Sequence, residues 1–346
     1  MNRSFGKLPS GDRLERIRKS PNYRNGSFQN LTPTQMLAEG ASYPKMLVDF
    51  FSKGIDREPA DVLPSVKTDL KSLPADETTI VWFGHSSYFI TLNGKNILID
   101  PVFSERASPF QFIGKKAYAI QTPYSLNDFP EQLDLVILTH DHYDHLDYHT
   151  ILKLHPRVKQ FYTSLGVGSH LEYWGVSGAK ISEFDWWESK KFESNIEITA
   201  APSRHFSGRL FKRNQTLWSS FILKTDAVKI YVGGDSGYDS AFAEIGKRFG
   251  LFDIALLECG QYNTMWPNIH MMPEEVAQAA IDLNAKVFMP VHWSKFTLAL
   301  HTWKDPIERT TAAAERLTIP VTTPMIGEPV VLGGNLPKKK WWENLR

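Results

Sequence analysis

The sequence predicts an α/β (α+β) fold built as a four-layer αββα sandwich, carried behind an N-terminal extension. Two observations support this. From Thr78 onward, short β-rich runs alternate with stretches of helical periodicity, and this succession occurs twice along the chain. "SSYFITLNGKNILIDP" from Ser86 recurs loosely as "SSFILKTDAVKIYVGGDS" from Ser219, which sets Asp100 opposite Asp235. "LDLVILTHDHYDH" is matched by "FDIALLECGQYNT", and "KQFYTS" by "KVFMPV". Two halves of this kind pack sheet against sheet with their helices outside, and the polar strand ends "LTH", "GGDS" and "PVHW" then meet at one edge.

Residues 1–75 are rich in proline, serine and charge and show little alternation, so they read as an extension packing on the core. One or two short helices are expected there, for example around "LTPTQMLAEG". Arg13, Arg16, Arg18, Lys19 and Arg24 make the segment basic; they form a solvated or packed face, with an anionic lipid surface as the alternative. The core domain spans residues 76–334. It opens with "TIVWF", "SYFITL" and "NILID", a meander in which Asn93-Gly94 supplies a hairpin turn. "LDLVILTH" is a strand buried on both faces that ends at His140. Helices are expected in "YHTILKLH", "SAFAEIGKRFG", "PEEVAQAAIDLNA" and "DPIERTTAAAERL". Pro273 with Glu274 and Glu275 marks a helix start, since proline suits the first turn and carboxylates suit the positive dipole end. Residues 335–346 form a C-terminal tail whose "KKKWW" is either strapped down, flexible, or in contact with a membrane interface.

Composition narrows the function. The chain has 346 residues, 42% of them hydrophobic, and a formal net charge of +1, which gives no basis for nucleic-acid binding. Its single cysteine, Cys259, excludes a disulfide framework and a cysteine-rich zinc site, and reads as a small buried residue. The N-terminus lacks the apolar core of a signal peptide, so the default expectation is a cytoplasmic protein; a removed export signal or peripheral membrane attachment would leave the same sequence.

The chemistry concentrates in "THDHYDHLD", where three histidines and three aspartates fall within Thr139–Asp147. His140, His142, Asp144 and His145 follow H-x-H-x-D-H on a loop after a strand. Alternating side chains there can face two ions, His140 and His142 toward one, Asp144 and His145 toward the other. Strand ends downstream offer further ligands: His205 in "APSRHFSGR", Asp235 in "YVGGDSGY" and His292 in "KVFMPVHWSKF". Five histidines and two aspartates make the mixed N/O set that zinc and similar divalent ions accept.

These residues resemble the metallo-β-lactamase superfamily, and more closely its N-acylphosphatidylethanolamine-hydrolysing phospholipase D branch. The likeness rests on "SPNYRNGSFQN", "WFGHSSYFI", "ILIDPVFSERASPF", "LTHDHYDHLD", "PSRHFSGR", "GGDSGYD", "HMMPEEVAQAA" and "PVHWSKFTLALHTW", spread from about Ser20 to Trp303. The resemblance implies the αββα sandwich and a hydrolase that uses a hydroxide held by two divalent ions, zinc foremost, with manganese or iron(II) as alternatives. It implies His140, His142 and His205 for one metal, Asp144, His145 and His292 for the other, and Asp235 as the bridge. It further implies catalytic parts for Asp144, Asp235 and His270 and a phosphodiester substrate of lipid character. A lactonase or esterase is the alternative, and a non-catalytic metal-binding protein a remoter one. Where redox di-iron relatives carry Glu, this chain has His142. His85 is expected to fix the turn beside the metal loop, and Asp147 to orient a ligand histidine. His149, His155, His170 and His301 read as ordinary surface or core residues. Phe103, Phe110, Phe112 and Ile113, with Trp186, Trp187 and Trp266, would wall a cleft for an apolar substrate or form a lid over the core. Expected partners are therefore a small-molecule or phospholipid substrate and no nucleic acid; peripheral membrane contact and homodimerisation stay open.

Overall fold

In the computed structural model, which describes residues 2–52, 54, 56–193, 195–209 and 212–346, two sheets pack face to face between helices. The extension contributes helix α1 (Gly11–Arg18), a small hairpin of β1 (Tyr23–Arg24) and β2 (Ser27–Phe28), and helix α2 (Tyr43–Phe51). The first half of the core follows as β3 (Thr79–Trp82), β4 (Tyr88–Leu92), β5 (Lys95–Ile99), β6 (Leu133–Leu138), α3 (Tyr148–Leu154), β7 (Val158–Ser164), α4 (Gly168–Tyr173) and β8 (Ile181–Phe184). The second half runs β9 (Ser189–Phe192), β10 (Ile196–Ala201), β11 (Ser220–Lys224), β12 (Lys229–Val232), α5 (Ala241–Phe249), β13 (Ile254–Glu258), α6 (Pro273–Asp282), β14 (Phe288–Val291), α7 (Asp305–Leu317) and β15 (Pro329–Val331).

The first sheet has the order β15-β3-β4-β5-β6-β7-β8 and the second β14-β13-β12-β11-β10-β9. The internal repeat is real in three dimensions. Each half contains an antiparallel hairpin, β4–β5 or β11–β12, followed by two parallel neighbours, β5–β6–β7 or β12–β13–β14. Asn93 and Gly94 both take positive φ, 48° and 69°, as a tight β4–β5 turn requires.

Alternation explains why β6 reads as one apolar run. Leu135 and Ile137 face the second sheet in the main core, while Val136 and Leu138 face outward onto Ile151 and Leu154 of α3 and Leu171 of α4. The second sheet is likewise covered by Phe242 and Ile245 of α5, Val276 and Ala280 of α6, and Ile307 and Ala314 of α7.

The extension departs from expectation. Residues 31–40 form turns and bends rather than a helix, because their polar backbone is used across the surface: Ala38 N–H donates to Met265 O, and Asn268 Nδ2 donates to Gln35 O. The helix forms instead at α2, with Pro44 in its first turn. The basic residues are partly paired, Arg13 with Glu172 and Glu183 and Arg16 with Glu188. The tail is strapped down: Trp341 and Trp342 are buried, and Trp341 stacks on Trp293 at 5.3 Å. Among the described residues, no helix is long and apolar enough to cross a membrane.

Candidate metal centre

All seven ligand candidates converge at the C-terminal edge of the sandwich. His140, His142, Asp144 and His145 lie on the loop after β6, His205 follows β10, Asp235 follows β12 and His292 follows β14. Gly234 takes φ +60° at the bend before Asp235, where a Cβ would come within 3.0 Å of Thr139 Cβ. A larger residue would therefore push two edges of the site apart.

Asp235 is buried and divides its two oxygens between two groups of histidines. Its Oδ1 lies 3.2 Å from His145 Nε2 and 3.2 Å from His292 Nδ1, and its Oδ2 lies 3.7 Å from His140 Nε2 and from His205 Nε2. The donor atoms of His140, His142, His205 and Asp235 sit within 4.8 Å of one another, as do those of His85, Asp144, His145 and His292. Both sets could hold a metal ion. His145 Nε2 and Asp235 Oδ1 are buried with no hydrogen-bond partner, which is costly unless a cation satisfies them.

Local bonds fix the imidazoles. His145 Nδ1 is 2.8 Å from Asp100 Oδ2, which leaves its Nε2 lone pair aimed inward. Thr139 Oγ1 gives its proton to Asp100 at 2.6 Å and so can only accept from His140 Nδ1 at 3.0 Å, which leaves His140 Nε2 facing His142 Nδ1 at 2.9 Å and Asp235 Oδ2 at 3.7 Å. His205 Nδ1 donates to Ile269 O at 2.7 Å. Burial lowers the pKa of His140, His205, His292 and His142, keeping neutral nitrogens available as ligands. Burial alone would also lower His145, but Asp235, Asp144 and Asp100 raise it well above the ordinary value. Those carboxylates call for positive charge at this point, which a divalent cation supplies as well as a proton does. Asp235 is held well below the usual carboxylate range: burial opposes this, but His145 and His292 prevail.

Several supporting roles fall to residues other than those expected. Asp147 touches none of the seven candidates; it caps α3 through His149 N and binds Ser104 and Thr150. Asp100, its counterpart one strand back, does the orienting. His85 goes beyond fixing a turn, since its Nε2 is 2.8 Å from Asp144 Oδ2. His270 reaches the centre within 4.8 Å of Asp235 and His292, and its Nδ1 pairs with the buried Glu258 Oε2 at 2.7 Å. Arg209, also unsuspected, is buried and donates to Asp141 O, Leu146 O and Ser4 O, tying the His-rich loop to the extension. His170 is a core residue, as expected, with Nε2 3.3 Å from Asp141.

A cleft of about 300 Å³ opens onto the centre, floored by His142, Asp144, Asp235, His270 and His292. Its apolar wall comes from Met36, Leu37, Met46, Phe206, Ile269 and Leu298, together with Trp266. Of the aromatic residues expected there, Trp266 alone lines it. Trp186 is buried against Trp218, Trp187 lies under Arg248, Phe103 packs on Phe83, Phe110 packs on Phe5, and Phe112 and Ile113 are exposed. The long loop 101–130 folds back on the core instead of over the centre.

Residues 95–293 match the family model of the beta-lactamase superfamily domain. The chain belongs to the beta-lactamase superfamily. An uncharacterized protein of Mycobacterium tuberculosis is 38% identical over 335 residues, covering 94% of this chain and 88% of its own. The mitochondrial N-acyl-phosphatidylethanolamine-hydrolyzing phospholipase D of Saccharomyces cerevisiae is 33% identical over 253 residues, 68% of this chain and 51% of that protein. Among solved superfamily folds, a metallo hydrolase from Ignicoccus hospitalis superposes with a TM-score of 0.57 at 21% identity, covering 75% of this chain and all of the other. The metallo-β-lactamase sandwich and the N-acylphosphatidylethanolamine-type resemblance both stand on these matches.

Proposed function

We propose that this protein is a metal-dependent hydrolase with a two-metal centre, acting on a phosphodiester with lipid character of the N-acylphosphatidylethanolamine type. The observation that carries this is the Asp235 carboxylate, with one oxygen facing each histidine group at the floor of an apolar-walled cleft. His140, His142 and His205 would hold one ion, Asp144, His145 and His292 the other, and Asp235 both. When bound, the ions supply a water made acidic near neutral pH and positive charge opposite the substrate oxyanion. The donor set suits zinc, and manganese or iron(II) as well.

The chain's own residues do the rest. Met36, Leu37, Met46 and Trp266 accept acyl chains and exclude water from the reacting phosphorus. Arg213 at the mouth brings a guanidinium to an anionic phosphate and so favours a phosphodiester over an uncharged lactone. His270 is positioned to hand a proton from Nε2 to the departing alcohol oxygen as the P–O bond breaks. Glu258, anchored by Ser236 N and Met271 N, holds the His270 ring from behind; burial raises this carboxyl, and the carboxylate in turn raises His270. A soluble enzyme of the cytoplasm meeting its substrate at a membrane surface fits this reading.

The test is to incubate zinc-loaded protein with N-acylphosphatidylethanolamine vesicles and analyse the products by mass spectrometry. Phosphatidic acid and N-acylethanolamine are expected. Cleavage of a lactone with no phosphodiester cleaved would overturn the substrate reading and keep the hydrolase. His270→Ala should lower kcat by about 10²-fold or more, the usual worth of a positioned acid. KM should stay nearly unchanged, and Glu258→Gln should show a smaller loss in the same parameter. Asp100→Asn should weaken zinc binding by about 10- to 100-fold in chelator competition, as loss of a histidine-orienting carboxylate does. Unchanged affinity would remove Asp100 from the centre.

A further inference from the structure

A second cavity, of about 180 Å³, is lined by Ser294 and Lys295, just past His292 in the chain, and shares no lining residue with the substrate cleft. Its walls are Phe83, Phe103, Tyr118, Ile120, Tyr124 and Ile326, and its polar lining includes Ser294 and Lys295. Neither polar side chain is fully used. Ser294 Oγ is buried with no hydrogen-bond partner. Lys295 Nζ donates to Val102 O at 2.7 Å and more weakly to Phe83 O at 3.4 Å, which leaves one of three ammonium protons uncommitted.

Among the described residues, no carboxylate lies within ion-pair distance of Lys295. Glu105, which also lines the cavity, is engaged by Lys116 at 2.5 Å, and Asp147 acts on Lys295 only through space. Burial lowers the Lys295 amine to about 8, the expected response of a shielded ammonium without a counter-ion. A half-buried cation beside aromatic walls and an orphan hydroxyl offers an anion both charge and a hydrogen bond. The volume is below the roughly 300 Å³ at which clefts for drug-sized ligands begin, so the occupant is small.

We propose that this cavity binds a small monocarboxylate with an apolar, ring-sized body, its carboxylate on Lys295 Nζ and Ser294 Oγ and its body between Phe103, Tyr118 and Tyr124. Such a ligand would be felt at the metal centre. Phe83 precedes Gly84 and His85, and His85 holds Asp144. Val102 N–H donates to Ser87 Oγ, which in turn donates to Asp100 O, and Asp100 holds His145. Lys295 thus staples the two loops that support two candidate ligands, and an anion competing for its protons would loosen that staple.

Phenylacetate, titrated into the metal-loaded protein by calorimetry, tests the site, with phenethylamine as the cationic counterpart. Saturable phenylacetate binding is expected, with none for phenethylamine. Lys295→Met should weaken binding by about tenfold or more, the worth of one charge-assisted hydrogen bond. Ala117→Phe, which fills the cavity and leaves Lys295 in place, should do the same, and it decides the matter if Lys295→Met fails to fold. His270→Ala should leave binding intact. No binding to the wild type at millimolar concentration would overturn the proposal. So would binding unaffected by both cavity variants, or binding lost only in His270→Ala, which would place the carboxylate on the catalytic centre.

Discussion

Asp235→Ala should reduce hydrolysis of any substrate by about 10³-fold or more, beyond the 10²–10³ that a single oxyanion donor is usually worth. The reason is the position of this one carboxylate, whose two oxygens serve two groups of histidines. In the proposed two-metal centre its loss would take a ligand from both sites at once, so the centre would fail as a unit rather than by one part. Asp235→Asn keeps the shape and one acceptor, and should fall between the wild type and the alanine variant. The variants should remain folded, since Asp235 sits at a strand end and takes no part in the hydrophobic core. Steady-state rates on a generic phosphodiester, with circular dichroism as a check on folding, are the measurement. Near wild-type turnover by Asp235→Ala with its metals retained would sink the mechanism.

Arg209→Met should produce the largest loss of stability among the residues that hold the site together. The buried guanidinium donates at 2.8 Å to Asp141 O, 2.7 Å to Leu146 O and 2.8 Å to Ser4 O, and lies 4.1 Å from the Tyr143 ring centre. Methionine fills much of the volume but leaves three buried carbonyls without donors, each worth about 1–3 kcal/mol. A net loss of about 3 kcal/mol or more is expected from denaturant unfolding, with faster release of metal to a chelator because the His-rich loop loses its anchor. An unchanged unfolding midpoint would show that water or Tyr143 takes over those carbonyls.

The two halves of this account were not equally legible in the chain. The candidate ligands could be read because the H-x-H-x-D-H loop is local, and because each remaining candidate directly follows an apolar strand. The internal repeat then forced those strand ends to one edge. Helices α3, α5, α6 and α7 could be read from periodicity, whereas α4, six residues long, offers too little pattern. Glu258 and Arg209 could not be assigned from pattern, since their roles depend on partners brought close only by folding. Asp147 is the instructive error. It follows the metal motif closely in sequence, yet the chain turns into α3 at that point and its carboxylate is taken by the helix N-terminus. The repeat held the better clue, since it aligned Asp100 with Asp235. The sequence leaves the aromatic residues as either a cleft wall or a lid over the core, and apart from Trp266 they do not line the cleft. In loop 101–130 Phe103 packs on its own half of the core, Phe110 on Phe5 of the extension, and Phe112 is exposed, while Met36, Leu37 and Met46 arrive from an extension whose backbone is bonded to the loop around Met265.

The most direct test of the central claim is the number of metal ions each chain holds. Native mass spectrometry of zinc-loaded wild type should show two zinc ions per chain, and Asp235→Ala should show one or none. A single ion in the wild type, or two ions retained after Asp235 is removed, would contradict a centre bridged by this carboxylate.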